Sequence, residues 1–289
     1  MKKPNLFIPG FPKSGTSSLH TMLIQHSEIS GGIRKEPHTY SWDNRYKNRF
    51  SFFKEEYKNL KTKYILESST TYLVSENALD RIMADTPEAK FIIIARDPID
   101  RIISHYNWLS NLGHVNKLFE VEINQSNKKF NYKKHYGGNY KAYIDFSKYG
   151  EQLERMLHKI PENQWYFLTF EDFINNWEIK MLEISDFLEI DLSEINIRKD
   201  NPTKPIKDFD KIIKSKETKW IQKLKIGLMR KLQGKEKRIR SLKVKNPIIN
   251  QVARKDVQDF LYPILEEDFK KLKSLGFNIE SWKTNKFFK

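Results

Sequence analysis

The sequence predicts an α/β fold of three layers, a central parallel β-sheet flanked by helices on both faces. Three observations predict it. Short apolar runs alternate with amphipathic stretches of helical period, the order of a parallel sheet covered on both sides. Phe91 to Ala95 (FIIIA) is apolar without alternation, as a strand buried on both faces requires. Near the N-terminus, the run from Asn5 to Pro9 gives way to a Gly/Ser turn and then to helical spacing, the opening of a nucleotide-binding α/β unit.

The elements follow in order. A helix is expected over Ser17 to His26, a strand over Tyr64 to Glu67 and a helix over Glu76 to Ala84. After the FIIIA strand, Pro98 opens a helix running to about Leu112, proline being tolerated in a first turn. Asn116 to Gly138 is polar and aromatic with little periodicity and reads as a loop or lid over 116–138. A helix over Tyr149 to Lys159, a turn at Pro161 to Asn163, and a strand over Trp165 to Phe170 come next. Glu178 to Leu188 and Val257 to Leu275 are further amphipathic helices, with an irregular segment at Asp200 to Lys207 between them.

The bulk composition narrows the function classes. The 289 residues fit one domain spanning 1–289, and 38% hydrophobic residues suffice for a large core. There is no cysteine, which excludes disulfides and thiolate chemistry and fits a reducing compartment, so a cytoplasmic location is expected. No run approaches the roughly 18 apolar residues of a membrane span. Lys2-Lys3 and the apolar run after them are too short for a signal peptide and read as a first strand. The net charge is +15, and much of it lies between Arg198 and Lys245, where 18 Lys/Arg face 5 Asp/Glu. This basic segment, 198–245, is either a solvated helix face or the seat of an anionic partner.

Residues 10 to 18 read GFPKSGTSS. Between a strand and a helix, successive backbone N–H groups of such a loop point at an anion, helped by the helix N-terminus. Gly15 lets the backbone approach a phosphate, and Thr16, Ser17 and Ser18 add hydroxyl donors. The fold class is therefore P-loop-NTPase-like. Gly10 and Gly15 have the spacing of a Walker A loop, but Thr16 stands where the Walker lysine belongs, and Lys13 sits inside the loop instead. A lysine there reaches the first phosphate and its leaving-group oxygen rather than a γ-phosphate. FIPGFPKSGTSSLHTML resembles the 5'-phosphosulfate-binding loop of sulfotransferases that use 3'-phosphoadenosine 5'-phosphosulfate (PAPS). The resemblance implies that Lys13, Ser14, Gly15, Thr16, Ser17 and Ser18 hold the 5'-phosphate and bridging oxygen. It implies no metal.

The second motif follows the FIIIA strand: Arg96-Asp97-Pro98, then Arg101, then Ser104-His105-Tyr106. An arginine leaving the carboxyl end of a buried strand stands where α/β sheets bind ligands, and it can grip a phosphate bidentately. The alternative is a helix cap with surface charges. The pattern RDPxxRxxSxY resembles the 3'-phosphate motif of the same family, which assigns Arg96 and Ser104 to the 3'-phosphate. His105 is a second base candidate, but a neighbour on a helix points about 100° away from Ser104, which favours a structural role.

Arg34 to Tyr40 (RKEPHTY) gathers acid/base groups where an acceptor must lose a proton. Glu36 is the candidate base: Lys35 beside it keeps its carboxylate ionised, while burial pushes the other way. His38 is a second catalytic candidate or a satisfied loop histidine. KEPH resembles the glycan sulfotransferases, especially the heparan sulfate branch, which implies Glu36 as catalytic base with Lys35 and His38 near it. Two positions depart from that branch. Ser41 stands where it carries an aspartate, and the stretch Leu66 to Tyr72 (LESSTTY) has serine where it carries a lysine. The expected acceptor is thus a carbohydrate hydroxyl, with lipid or small-molecule hydroxyls or an amine after it, rather than a heparan chain in particular.

The resemblance continues weakly over Tyr149 to Phe173, Asp200 to Thr203 and Tyr262 to Trp282. Gly234-Lys235 with Arg238 or Arg240 is the candidate for a late basic loop closing over the 3'-phosphate. Two rival functions remain open. A P-loop kinase or NTPase is disfavoured by the missing Walker lysine. A non-catalytic polyanion-binding protein built on the basic segment is disfavoured because no nucleic-acid motif or stacking pattern accompanies it, so no nucleic-acid partner is expected.

Overall fold

The computed structural model describes residues 2–58, 60–126, 141–191 and 252–287. FIIIA forms the heart of strand β4 (Lys90–Ala95), and five strands make one parallel sheet around it. The others are β1 (Leu6–Phe7), β2 (Ile29–Gly31), β3 (Tyr64–Glu67) and β5 (Trp165–Thr169), in the order β2-β3-β1-β4-β5. All neighbouring pairs run parallel, with Leu6 opposite both Leu66 and Lys90, and Ile93 opposite Phe167.

Alternation along β4 sorts the layers. Phe91, Ile93 and Ala95 join Phe7 and Ile65 on one face, which is covered by α3 (Arg49–Glu56), α4 (Ala78–Asp85), α7 (Tyr149–Leu157) and the long α10 (Arg254–Ser274). Ile92 and Ile94 join Leu6, Ile8 and Leu66 on the other face, under α1 (Thr16–Leu23) and α9 (Trp177–Leu188). Each fully buried aliphatic side chain contributes about 1.5–3 kcal/mol, so β4 alone accounts for a large share of the cohesion. This is the three-layer, P-loop-NTPase-like arrangement.

The remaining helices bind to this frame. α5 (Pro98–Asn111) presents Ile99, Ile102, Tyr106 and Leu109 to α6 (Phe119–Ser126) and to Val257, Leu261 and Leu265 of α10. The stretch 116–138 is therefore not loop throughout: residues 119–126 are helical, because Phe119 and Ile123, one turn apart, find an apolar partner in Tyr106 and its neighbours. Residues 127–140 lie outside the described residues. So do the basic segment 198–245, the Asp200–Lys207 stretch and the Gly234, Lys235, Arg238 and Arg240 candidates. Short α2 (Asp43–Lys47) and α8 (Phe170–Asn175) are the remaining α-helices among the described residues, α8 being capped by Thr169, whose hydroxyl accepts from the Asp172 N–H at 3.2 Å. Among the described residues no helix is long and apolar enough to cross a membrane.

Candidate active site

The loop from Gly10 to Gly15 leaves β1 and enters α1 at the carboxyl edge of the sheet, the ligand-binding edge of α/β folds. Gly15 is the N-cap of α1 at φ 89°, and a Cβ there would stand 2.7 Å from the Phe170 ring. Only glycine meets both demands. No side chain caps α1 and no acid sits in its first turn, which leaves its leading N–H groups available to an anion. Ser14 and Thr16 are buried in the loop, while Ser17 and Ser18 are exposed on the first turn.

Lys13 adopts φ 68°, which costs a residue with a side chain about 1–2 kcal/mol. Its ammonium rests over the Trp108 indole, 4.7 Å from the ring centre. Both line a cavity of about 490 Å³ together with Arg96, Asp100, Ile103, Ser104, Asn107, Asn111 and Arg254. Ser104, Asn107, Trp108 and Asn111 follow the i, i+3, i+4, i+7 spacing, so one stripe of α5 makes the wall. Arg96 stands at the end of β4 with its guanidinium 5.0 Å from the Phe170 ring centre, and its carbonyl accepts from the Tyr149 hydroxyl at 3.0 Å. Lys13, Arg96 and Ser104, proposed from two separate motifs, thus share one cavity. The donor set (three cations, a hydroxyl and two carboxamides) suits a ligand with several anionic groups. Burial, Arg101 and Arg96 pull the Lys13 ammonium down to about 8, against Glu36.

Arg254 had no signal in the sequence, since 157 positions separate it from Asp97. It donates to Asp97 Oδ1 at 2.8 Å, to Asp100 Oδ1 at 2.9 Å and to Thr284 Oγ1 at 2.7 Å. Asp97 in turn caps α5 through the Ile99 N–H at 3.1 Å and accepts the Thr284 N–H at 2.8 Å. Arg101 is fully buried, donating to Ser147 and to the Tyr143 carbonyl, both at 2.5 Å. His105 is buried against Tyr143 at 4.9 Å between ring centres.

Glu36 sits beside the phosphate loop. Lys35 Nζ donates to Glu36 Oε1 at 2.7 Å and lies 3.4 Å from Thr16 Oγ1, so one ammonium joins the loop to the carboxylate. Thr70 donates to Glu36 Oε2 at 3.0 Å, and His38 Nε2 stands 3.8 Å from the same oxygen. Burial pushes the Glu36 carboxyl up, but Lys35, His38 and Thr70 together hold it below the usual carboxylate range. The Glu36 side chain remains 32% exposed, so an acceptor can reach it.

His38 differs. It is buried, at φ 54°, with Nδ1 2.8 Å from Thr71 Oγ1 and its ring stacked on Trp42 at 5.0 Å. Burial drives its imidazole down to about 4, with Arg45 and Lys35 adding to the fall and Glu36 opposing it. Its Nε2 faces Glu36 Oε2 at 3.8 Å.

The stretch after β3 is where sequence reasoning missed most. All five residues from Ser68 to Tyr72 hydrogen-bond the Glu36 loop. The Ser68 N–H donates to the Lys35 carbonyl at 3.0 Å, and Ser69 Oγ accepts the His38 N–H at 2.8 Å. Thr70 holds Glu36, and Thr71 Oγ1 meets both His38 and Ser41 Oγ at 2.8 Å. The Tyr72 hydroxyl accepts the Tyr40 N–H at 3.3 Å. Ser68 also meets His20 Nδ1 of α1 at 2.7 Å, and burial, with Lys35, holds that imidazole down at about 4.

A family model described as a sulfotransferase domain matches residues 3–259. The chain belongs to the sulfotransferase family. Within that family it is similar to heparan sulfate glucosamine 3-O-sulfotransferase 3B1 of Mus musculus, 25% identical over 187 residues, covering 64% of this chain and 46% of that protein. It is also similar to the membrane-associated sulfotransferase kil1 of Dictyostelium discoideum, 30% identical over 109 residues, covering 36% of this chain and 23% of that protein. The chain spans about half the length, or less, of these relatives. Among solved structures, a sulfotransferase from Alicyclobacillus acidocaldarius superposes with a TM-score of 0.60 at 22% identity, covering 74% of this chain and 91% of that one. That likeness concerns the fold.

Proposed function

We propose that this sulfotransferase moves a sulfuryl group from PAPS to a hydroxyl of a carbohydrate acceptor, leaving adenosine 3',5'-bisphosphate. The observation that carries the reading is the position of Lys13, which lines the cavity of Arg96 and Ser104 and lies within the electrostatic reach of Glu36. A phosphate-gripping cavity and a candidate base meet at one ammonium.

Arg96 and Ser104 hold the 3'-phosphate, and the 13–18 loop holds the 5'-phosphate. The donor, when bound, supplies the sulfuryl group and carries away the electron pair of the broken sulfur–oxygen bond. Lys13 stabilises the charge that gathers on the bridging oxygen. Glu36, ionised at neutral pH, takes the acceptor's proton as the new sulfur–oxygen bond forms. His38 and Thr70 keep that carboxylate aimed. The carbohydrate acceptor is supported by the similarity to proteins named for heparan sulfate glucosamine.

Calorimetric titration with adenosine 3',5'-bisphosphate, with and without Mg²⁺ and beside ATP, tests the reading. Metal-independent bisphosphate binding, lost in Lys13→Ala and Arg96→Ala, is expected. Binding of Mg²⁺-ATP but not of the bisphosphate would overturn it in favour of a kinase.

A further inference from the structure

The cavity that carries Lys13, Arg96 and Arg254 also carries a carboxylate. Among the described residues that line it, Asp100 is the only acid, and none of the proposed steps uses it. A carboxylate facing a ligand with two phosphates repels it, and more strongly in a partly enclosed site than in water.

One guanidinium nitrogen serves two acids. Arg254 Nη1 donates to Asp97 Oδ1 at 2.8 Å and to Asp100 Oδ1 at 2.9 Å. The two acids are otherwise unlike. Asp97 is 1% exposed and also accepts from the Ile99 N–H at 3.1 Å and from the Thr284 N–H and hydroxyl, both at 2.8 Å, so it belongs to the frame. The Asp100 side chain is 20% exposed, and among the described residues its carboxylate is held by Arg254. What Asp100 adds to the hydrogen bonds of the α5 cap is its backbone N–H, which donates to Asp97 Oδ1 at 3.4 Å.

Helix spacing sets what the Asp100 carboxylate faces. Ser104 follows it by four positions in α5, so the two side chains lie one turn apart on the same face, with Cβ atoms about 5–6 Å apart. A phosphate gripped by Arg96 and Ser104 is thereby brought close to that carboxylate. Arg254 lines the same cavity and is a cation that either anion can use. In the ligand-free chain Asp100 occupies it.

We propose that Asp100 is an affinity-limiting residue of the donor site, its carboxylate competing with the ligand's 3'-phosphate for the Arg254 guanidinium. The inference rests on the assignment of the 3'-phosphate to Arg96 and Ser104. Donor and product carry the same 3'-phosphate, so the competition weakens both, and the benefit falls on release of the product, a step that limits many enzymes. The clasp does not depend on this carboxylate: with Asp100 neutral, Arg254 keeps Asp97 and Thr284, and its charge is freer to meet the phosphate.

Asp100→Asn removes the charge and keeps an oxygen that accepts from Arg254. The test is calorimetric titration of the full chain with adenosine 3',5'-bisphosphate and with adenosine 5'-monophosphate, at low and at high salt. Asp100→Asn is expected to bind the bisphosphate about five- to tenfold more tightly than the parent and the monophosphate within about twofold of it, the gap narrowing as salt screens the charges. A merely structural role predicts the opposite sign, since an acid in the first turn of α5 favours that helix and a looser site binds less. Asp100→Ser, a second neutral variant, is expected to show the same gain and decides the matter where Asp100→Asn does not fold. Bisphosphate affinity equal to or below the parent's in a folded neutral variant overturns the proposal. So does a gain shared equally by the monophosphate, or the failure of both variants to fold, which would make the carboxylate structural. A parent that binds the bisphosphate no more tightly than the monophosphate is a different failure: it sinks the 3'-phosphate assignment itself, and this proposal with it.

Discussion

The ammonium of Lys13 lies over the indole of Trp108, 4.7 Å from its ring centre, and both line the cavity of Arg96 and Ser104. The contact fixes a flexible side chain, and a cation over an indole contributes about 0.5–2 kcal/mol; on the proposed mechanism this ammonium meets the charge of the leaving phosphate. Lys13→Ala should lower turnover by about 10²–10³-fold, the loss seen when a transition-state donor is removed. Trp108→Phe should retain most of the activity and Trp108→Ala should not, as measured by bisphosphate released from PAPS.

The same lysine sets an alkaline limb. Its value of about 8 means the ammonium of the free protein is present below that pH and lost above it, so kcat/KM for PAPS should fall as pH rises through it. The limb should vanish in Lys13→Arg, since a guanidinium does not titrate there. A pH–rate profile on both proteins checks this.

Glu36→Gln removes the base while keeping its shape. Turnover should drop by about 10²–10⁴-fold. Calorimetric affinity for the bisphosphate should change little, because Glu36 does not line the cavity of Lys13, Arg96 and Ser104.

Arg96→Ala and Ser104→Ala separate the 3'-phosphate from the rest of the donor. Loss of a charge-assisted bond of about 1.5–3 kcal/mol should weaken bisphosphate binding by Arg96→Ala roughly 10–150-fold. Adenosine 5'-monophosphate, which lacks that phosphate, should bind both variants and the parent alike.

Arg254→Ala leaves Asp97, 1% exposed, and Asp100 without their guanidinium. Breaking a pair this buried costs about 3 kcal/mol or more. The melting temperature should fall by roughly 6–12 °C, and added bisphosphate should recover less of it than in the parent.

The sequence made β4 legible because five apolar residues in a row admit one reading between two covering layers. It singled out Lys13, Arg96 and Ser104 as candidates because loop chemistry and helix spacing are local, and the fold sets all three around one cavity. What it hid has common physical causes. β2, Ile29–Gly31, is three residues long at a sheet edge, too short for any period to show. α3 carries its aromatics at Phe50, Phe52 and Phe53, a pattern with no clean helical face. Ser68 to Tyr72 resembles any polar turn, and only folding brings its hydroxyls under Glu36. Arg254 acquires a role solely through α10 crossing α5. His38 stood out because acid/base residues cluster in the chain, and its burial against Trp42 is visible only in the fold.

The clasp of Arg254, Asp97 and Thr284 also sets a schedule. A chain emerging from the ribosome shows its anion loop and Arg96 first, but the acid that caps α5 gains two of its partners only when residues 254 and 284 have been made. Trp282, packed on Tyr149 at 5.6 Å, which itself lies 4.1 Å from Phe11 of the anion loop, imposes the same delay from the other side. Incomplete nascent chains would therefore lack a finished cavity.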